Sequence, residues 1–555
     1  YNLFARTAHS VGSKTIGLLI NKAGDKVHKS LVDGTTWKKS SKEEDVSTAP
    51  GFMSLHEVTV DGVKKVYSVT QFESSKTGVM YLSEMTQDSS DQTSLLDTAG
   101  NEGTGFGKLS IASTAPISIR NPEVNGLFDP VAGSLTPWLT HLGVEATAPE
   151  YSSTYANNDD VKSFARYFDI YDSTNPVDTA IPPVNALDLW KPFYYGYVFE
   201  ATVPKVVTAP KIVTATVKKH FSMGRRSNGG VHVMPDHKTV YMTDSAPKGV
   251  FTKFVADAAD DLSSGALYCA VIAAVDVHGI SKITWISLDS ESVTDSQIEA
   301  AITHGVKFAD LFNSETVLSP NIGNSFGPTD ESTSGNNLAS RLETRRYATI
   351  KGCTPRDSFQ DVTFSTINNE LYLSFNEFDT TPCGCVYSLE VDSTYSATEM
   401  KKLICGNAIA ADDQGFTCDR NAIAGPGSIA MNDVHNQLFI SEDSSKVRTD
   451  PRHAHNNMMW VYDFNSKSLT RVLSAPYGAK ITSSAFQKIR GQDYMSLSIK
   501  DPYYNTVDNT ANTVHNSNRQ KSSVECVWPN TNCLGAQAAD MLFEPESTGS
   551  AGWVG

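Results

Sequence analysis

Several features are missing from this chain. It has no N-x-Ser/Thr acceptor despite its many Ser and Thr residues, which argues against a heavily N-glycosylated surface protein. Its longest apolar run, Ala266 to Val275, falls far short of the ~20 residues that span a bilayer, so a buried strand is expected there and no transmembrane segment. Positive charge is in deficit: 46 Lys and Arg against 62 Asp and Glu leave a net charge of −16, which excludes nucleic acid or an anionic membrane surface as the main partner. There is no G-x-S-x-G elbow, P-loop or H-E-x-x-H, so serine-hydrolase, nucleotide-hydrolase and zincin chemistry have no support. Helical periodicity is scarce. The clearest helix is Asp295 to His304, opened by Thr294 with Gln297 three residues on, and closed by Gly305.

Cysteine is not lacking. Eight are present, an even number compatible with disulfides in an oxidising compartment. Cys526 and Cys533 bracket a turn-forming loop and are the first expected bridge; Cys405 and Cys418 flank a Gly/Asp-rich loop and are the second. Cys383 and Cys385 are too close for a bridge with each other, and Cys269, inside the apolar run, is expected to be an inert buried thiol. The chain opens on Tyr1, which suggests a processed protein and, with the cysteines, a secreted or otherwise extracytoplasmic location.

A pattern recurs at Val66 to Leu82, Val240 to Ala256, Leu371 to Val391 and Leu438 to Lys446, the last continued at Met458 to Phe464. A β-branched or aromatic strand runs into Ser or Thr, then an acid, then a loop and a second strand. Three copies follow a further short strand and a polar turn. Repeats of this kind indicate an all-β fold, a single β-propeller of about six blades covering residues 1–555. Residues 83–107 and 323–340 are expected as surface loop insertions and 505–555 as a C-terminal strap. Equivalent strand ends converge on a propeller's channel, so Glu73, Asp244, Glu377, Glu442 and Asp443 are candidates to meet there. Arg452-His-Ala-His455 is a possible chelating loop, Asn157 to Asp160 and Asp257 to Asp261 are calcium-like in composition, and Gly224 to Gly230 is a possible anion nest.

From Gly133-Ser-Leu-Thr-Pro-Trp138 onward the chain resembles the PhoX-type alkaline phosphatase family. The likeness continues at Tyr195 to Phe199, Met223-Gly-Arg-Arg-Ser227, Val240 to Asp244, Arg346 to Thr354 and Phe439 to Asp443, in the family's order. It implies a secreted propeller enzyme that uses iron and calcium to hydrolyse phosphomonoesters. The family's ligand motifs are altered, however. Its Cys-Glu-Glu falls on Val144-Glu145-Ala146, its Gly-Arg-x-Ser-His-Glu on Gly224 to Gly229, its Arg-x-Glu on Ser358-Phe359-Gln360, its Asn-His-Glu on Gln71-Phe72-Glu73, and its Pro-Asp-Asn on Pro426-Gly427-Ser428. Iron is therefore not expected, since valine offers no lone pair. The acids left at matching positions, Glu73, Glu145, Asp244, Glu442 and Asp443, are the candidate set for one calcium ion, which needs only oxygen ligands; the alternative is that they hydrogen-bond the strand ends. Two functions follow: a binding or assembly module that has lost the phosphatase site, or a metal-dependent phosphomonoesterase with a rebuilt calcium site. Protein or glycan partners are expected through the loops, and self-assembly is possible.

Overall fold

The computed structural model describes residues 3–8, 10–33, 36–74, 78–87, 109–119, 122–149, 178–179, 191–208, 212–312, 333–377, 382–411, 417–443, 457–475, 479–489, 492–500 and 523–525. Antiparallel sheets of this part form six propeller blades, each built outward from an inner strand. These inner strands are Ala49–Val60, Pro130–Leu135, Asn228–Val233, Phe359–Ser365, Pro426–Asn432 and Lys480–Ile489. Each packs against the next, and the last against the first, so the ring closes.

The sixth blade runs from its inner strand through Gln492–Lys500 and Ser523–Glu525 to Leu3–Arg6. The N-terminal strand therefore completes the last blade, and this sheet joins the two ends of the described chain. The third and fourth blades share one continuous sheet, because Ile280–Ser287 pairs with Ala397–Cys405 along their outer edges.

The hairpins follow local chemistry. Asp61 and Gly62 take positive φ of 51° and 80° between the first two strands of blade one, as a tight two-residue turn requires. Asn369 and Asn436 take φ of 54° and 53° at the equivalent turns, where a short polar side chain tolerates the left-handed region. Every inner strand carries a bulge just after its start, between Pro50 and Met53, Pro130 and Ala132, Asn228 and Val231, Phe359 and Val362, Pro426 and Ile429, and Thr482 and Ala485. A bulge adds twist and re-aims the chain; repeated six times, it shapes one mouth of the channel.

The predicted helix is present as Asp295–Thr303, with the Thr294–Gln297 capping box formed. Two expectations about loops change. Ser83 to Gln87 continue the strand Val79–Gln87, and the second half of 323–340 is helix Thr333–Leu342, followed by Thr344–Ile350. Of the C-terminal strap, the described part is the sixth-blade strand Ser523–Glu525.

The cysteine pairing also changes. Cys405 bridges Cys385 and Cys418 bridges Cys383, rather than each other. Cys385 and Cys405 face each other in register across adjacent strands, a proximity that the intervening hairpin hides in sequence. Cys269 is not a free thiol; it bridges Cys353, 84 residues away. Cys526 and Cys533 lie outside the described residues.

Candidate functional site at the propeller mouth

In each blade the second strand ends opposite the start of the inner strand, beside the bulge. The register pairs are Glu73 with Ala49, Glu145 with Pro130, Asp244 with Asn228, Phe375 with Phe359, Glu442 with Pro426, and Lys500 with Lys480. Four predicted acids thus occupy equivalent places around one mouth. In the fourth blade Phe375 takes that place, and Glu377 lies beyond the strand end. The closing blade puts Lys500 where four of the others put acids, and Lys480 opposite it.

The acids do not pool their oxygens. Glu145 is fully buried. Its Oε1 accepts from Phe128 N at 2.8 Å and faces Lys219 Nζ at 2.9 Å, while its Oε2 accepts from Gly196 N and Tyr197 N at 2.8 and 3.1 Å. Lys219 is buried as well; it donates to Tyr194 O and lies over the Tyr195 ring. Burial pushes its pKa down, with Glu145 opposing. Glu442 repeats this construction, accepting from Ala424 N and Trp460 Nε1 at 2.9 Å and Met458 N at 3.0 Å. In both blades one carboxylate joins the segment entering the blade to the strand that follows.

Glu73 pairs with Lys500, and Asp443 with Lys480 at 2.6 Å. Asp244 is buried, with Arg345 at 3.8 Å and Ala246 N donating at 3.3 Å. Burial raises its pKa most, against the pull of Arg345 and Arg226. Its Oδ2, and the Oδ1 of its register partner Asn228, are buried without a hydrogen-bond donor among the described residues. Among those residues, no group of three or more His, Cys, Asp or Glu is arranged to hold a metal ion.

The bulges bring the inner strands very close. A Cβ on Gly229 would stand 2.1 Å from Gln360 O and one on Gly51 2.5 Å from Val131 O, each on the next inner strand, while one on Gly427 would stand 2.4 Å from the Cβ of Asp443 in its own blade. Between Gly229 and Gly427 lies Asp361, which sequence reasoning passed over. Its Oδ1 accepts from Val362 N, and its Oδ2 from Ser428 Oγ and Ile429 N. Burial foremost raises its pKa to about 6, against those hydrogen bonds.

Other predicted constellations have structural work. In Gly224 to Gly230, Arg225 donates to Tyr195 O, Leu342 O and Pro149 O, and the buried Arg226 donates to Met223 O and Met242 Sδ. No anion nest forms from these guanidiniums. Asp257 binds Ser264 and Ser292 hydroxyls, and Asp261 binds Ser263 N. Asn157 to Asp160 and Arg452 to His455 lie outside the described residues.

Two buried networks escaped sequence reasoning. Ser54 Oγ is hydrogen-bonded to His56 Nε2 and His141 Nδ1, both at 2.7 Å, and His141 Nε2 meets Gln71 Oε1. Burial lowers both imidazoles, His56 to about 4. In the second blade, Glu200 accepts from Trp138 Nε1 and Thr140 Oγ1, and its Oε2 lies 3.0 Å from His220 Nε2. His220 Nδ1 faces Asp295 Oδ2 at 3.4 Å. The Thr-Pro-Trp segment thus tightens a turn onto a charged pair. In sequence, only Lys218-Lys219-His220 beside an apolar strand signals it.

The profile of the family described as Alkaline phosphatase PhoX matches residues 110–488. Among solved structures, the chain is similar to Pseudomonas fluorescens PhoX in complex with vanadate, a transition-state analogue, at 15% identity and TM-score 0.56, covering 94% of this chain and 96% of that one. A protein from Bacteroides uniformis assigned as a 6-phosphogluconolactonase aligns at 12% identity and TM-score 0.31, covering 92% and 97%. No curated protein matches the chain.

Proposed function

The chain belongs to the PhoX alkaline phosphatase family, and from that premise we propose that it is a PhoX-fold propeller whose iron–calcium phosphatase centre is lost, working outside the cytoplasm as a binding or assembly module. The observation that carries this reading is the crowding at two positions where the resemblance expects metal carboxylates. Where a side chain would begin, Gly229 has the backbone of the next blade's inner strand at 2.1 Å and Gly427 has the Asp443 Cβ of its own blade at 2.4 Å, closer than real Cβ contacts. The other expected ligands point the same way. Val144 is fully buried in the apolar core, Glu145 and Glu442 have protein donors on both oxygens, and Glu73 and Asp443 face lysines. A cluster of hard cations needs several carboxylates free to offset its charge, and this donor set does not fit one.

Three disulfides favour an oxidising compartment, and no helix among the described residues is long and apolar enough to cross a membrane. Protein or glycan partners would meet the loops, where variable surface is presented. One observation favours the second reading, a phosphomonoesterase with a single rebuilt calcium site: Asp244 Oδ2 and Asn228 Oδ1 are buried acceptors without donors among the described residues, on residues paired in register.

Elemental analysis of the purified protein, beside a phosphomonoesterase assay with added Ca²⁺, separates the readings. The module should carry no stoichiometric iron and show no turnover. Iron with turnover overturns the proposal; calcium with turnover selects the second reading.

A further inference from the structure

Among the described residues, five of the six seams between blades are filled by apolar side chains from both sides. Between the fifth and sixth blades, for example, Met459 and Leu473 pack on Ile481, Met495, Leu497 and Ile499. The seam between the sixth and first blades is built differently. Among the residues whose side chains are described, the sixth blade supplies Ile489 and Tyr494 to the apolar cluster, and the rest comes from the first blade and from Val11, Ile16, Leu19 and Val27.

Polar contacts also cross this seam. Thr482 Oγ1 donates to Pro50 O, Ser498 Oγ to Gly51 O at 2.7 Å and Ser496 Oγ to Met53 O, while Leu55 N donates to Gln487 Oε1 at 2.7 Å. Ser68 and Thr70, register partners of Leu55 and Met53, have buried hydroxyls without hydrogen-bond partners among the described residues. Strand alternation turns them away from Val69, which packs toward the second blade, and so toward this same seam. Unpartnered hydroxyls there weaken it further.

At the mouth, the sixth blade carries the register pair Lys480 and Lys500. Lys500 reaches Glu73 of the first blade, and Lys480 reaches Asp443 beside the fifth. All four side chains are 11–25% exposed, so solvent screens these pairs less than it would fully exposed ones.

We propose that the ring is closed by charge: Lys480 and Lys500 latch the sixth blade to both neighbours, and the seam between the sixth and first blades is where the propeller opens. The inference concerns closure alone and stands whether or not the protein turns over a phosphomonoester.

Native-state hydrogen exchange read by peptide mass tests it on the full chain. Peptides from 49–60 and 480–489 should exchange faster than those of the other inner strands, and faster again in 1 M NaCl. A K480Q/K500Q variant should accelerate exchange there about three- to tenfold, while 228–233 and 359–365 stay unchanged and show that the fold is kept. The charge-swapped pair E73K/K500E should restore protection relative to E73K alone. Uniform exchange around the ring, or a variant indistinguishable from the parent, overturns the proposal. So does an EDTA effect on the parent equal to that of K480Q/K500Q, because a bound cation and not the lysines would then hold the seam.

Discussion

Replacing His220 with Gln should flatten the alkaline limb of this protein's stability curve. The imidazole is buried, and burial by itself would lower its pKa. Asp295 and Glu200 outweigh that effect and hold it at about 9, against ~6.5 in the unfolded chain. Because the folded value is the higher one, the stabilisation is fully present below pH 6.5 and is lost as pH rises through 9. The difference corresponds to about 3 kcal/mol at ~1.36 kcal/mol per unit. Glu200 shows the same attraction from the acid side: burial raises its pKa, but His220, Thr140 and Trp138 bring it to about 2, so its share is present above ~4.5 and lost as pH falls through 2. The two values describe one interaction and do not add. Urea unfolding followed by tryptophan fluorescence in steps from pH 6 to 10 measures the effect. The parent should lose about 3 kcal/mol more than H220Q across that interval, and the difference between the two curves removes the other groups that titrate there. Parallel curves, or an imidazole resonance titrating near pH 6.5, would refute the reasoning.

Two further outcomes are expected. Asp361 has a raised folded pKa of about 6, so its carboxyl favours the folded state most at low pH and this contribution is lost as pH rises through 6; D361N should flatten the stability profile between pH 4 and 6 by about 1–2 kcal/mol, a figure reduced for the side chain's partial exposure. K219M leaves Glu145 buried beside no cation and should cost about 3–5 kcal/mol in chemical denaturation, whereas K219M/E145Q should recover much of that loss.

The architecture was legible because its signals are local. Alternating strands, polar turns such as Asp61-Gly62 and the Thr294–Gln297 capping box each act within a few residues. Of the acids that the repeat puts at strand ends, Glu73, Asp244 and Glu442 lie there, while Glu377 and Asp443 fall just beyond. Their partners were not visible, for a physical reason. Backbone N–H groups such as Phe128 N and Ala424 N leave no mark in a sequence. Lys500 stands 427 residues from the Glu73 it meets, and nothing local distinguishes it from a surface lysine. An acid at a channel mouth therefore reads as a metal ligand until the neighbouring blade is seen. The disulfides failed for the same reason, since Cys385 and Cys405 become partners only once their strands are paired in register.

The pairing of Leu3–Arg6 with Ser523–Glu525 sets a schedule for biosynthesis. Leu3–Arg6 leaves the ribosome about 520 residues ahead of the strand it pairs with, and cannot pair until that stretch has been made. At ~5–20 residues per second, that wait lasts about half a minute to two minutes. By its end, the five blades already made stand as an unclosed arc whose end strands offer free backbone groups to any passing chain. Translation speed and chaperone capture of Leu3–Arg6 should thus govern the yield of native protein more than the strength of any one blade.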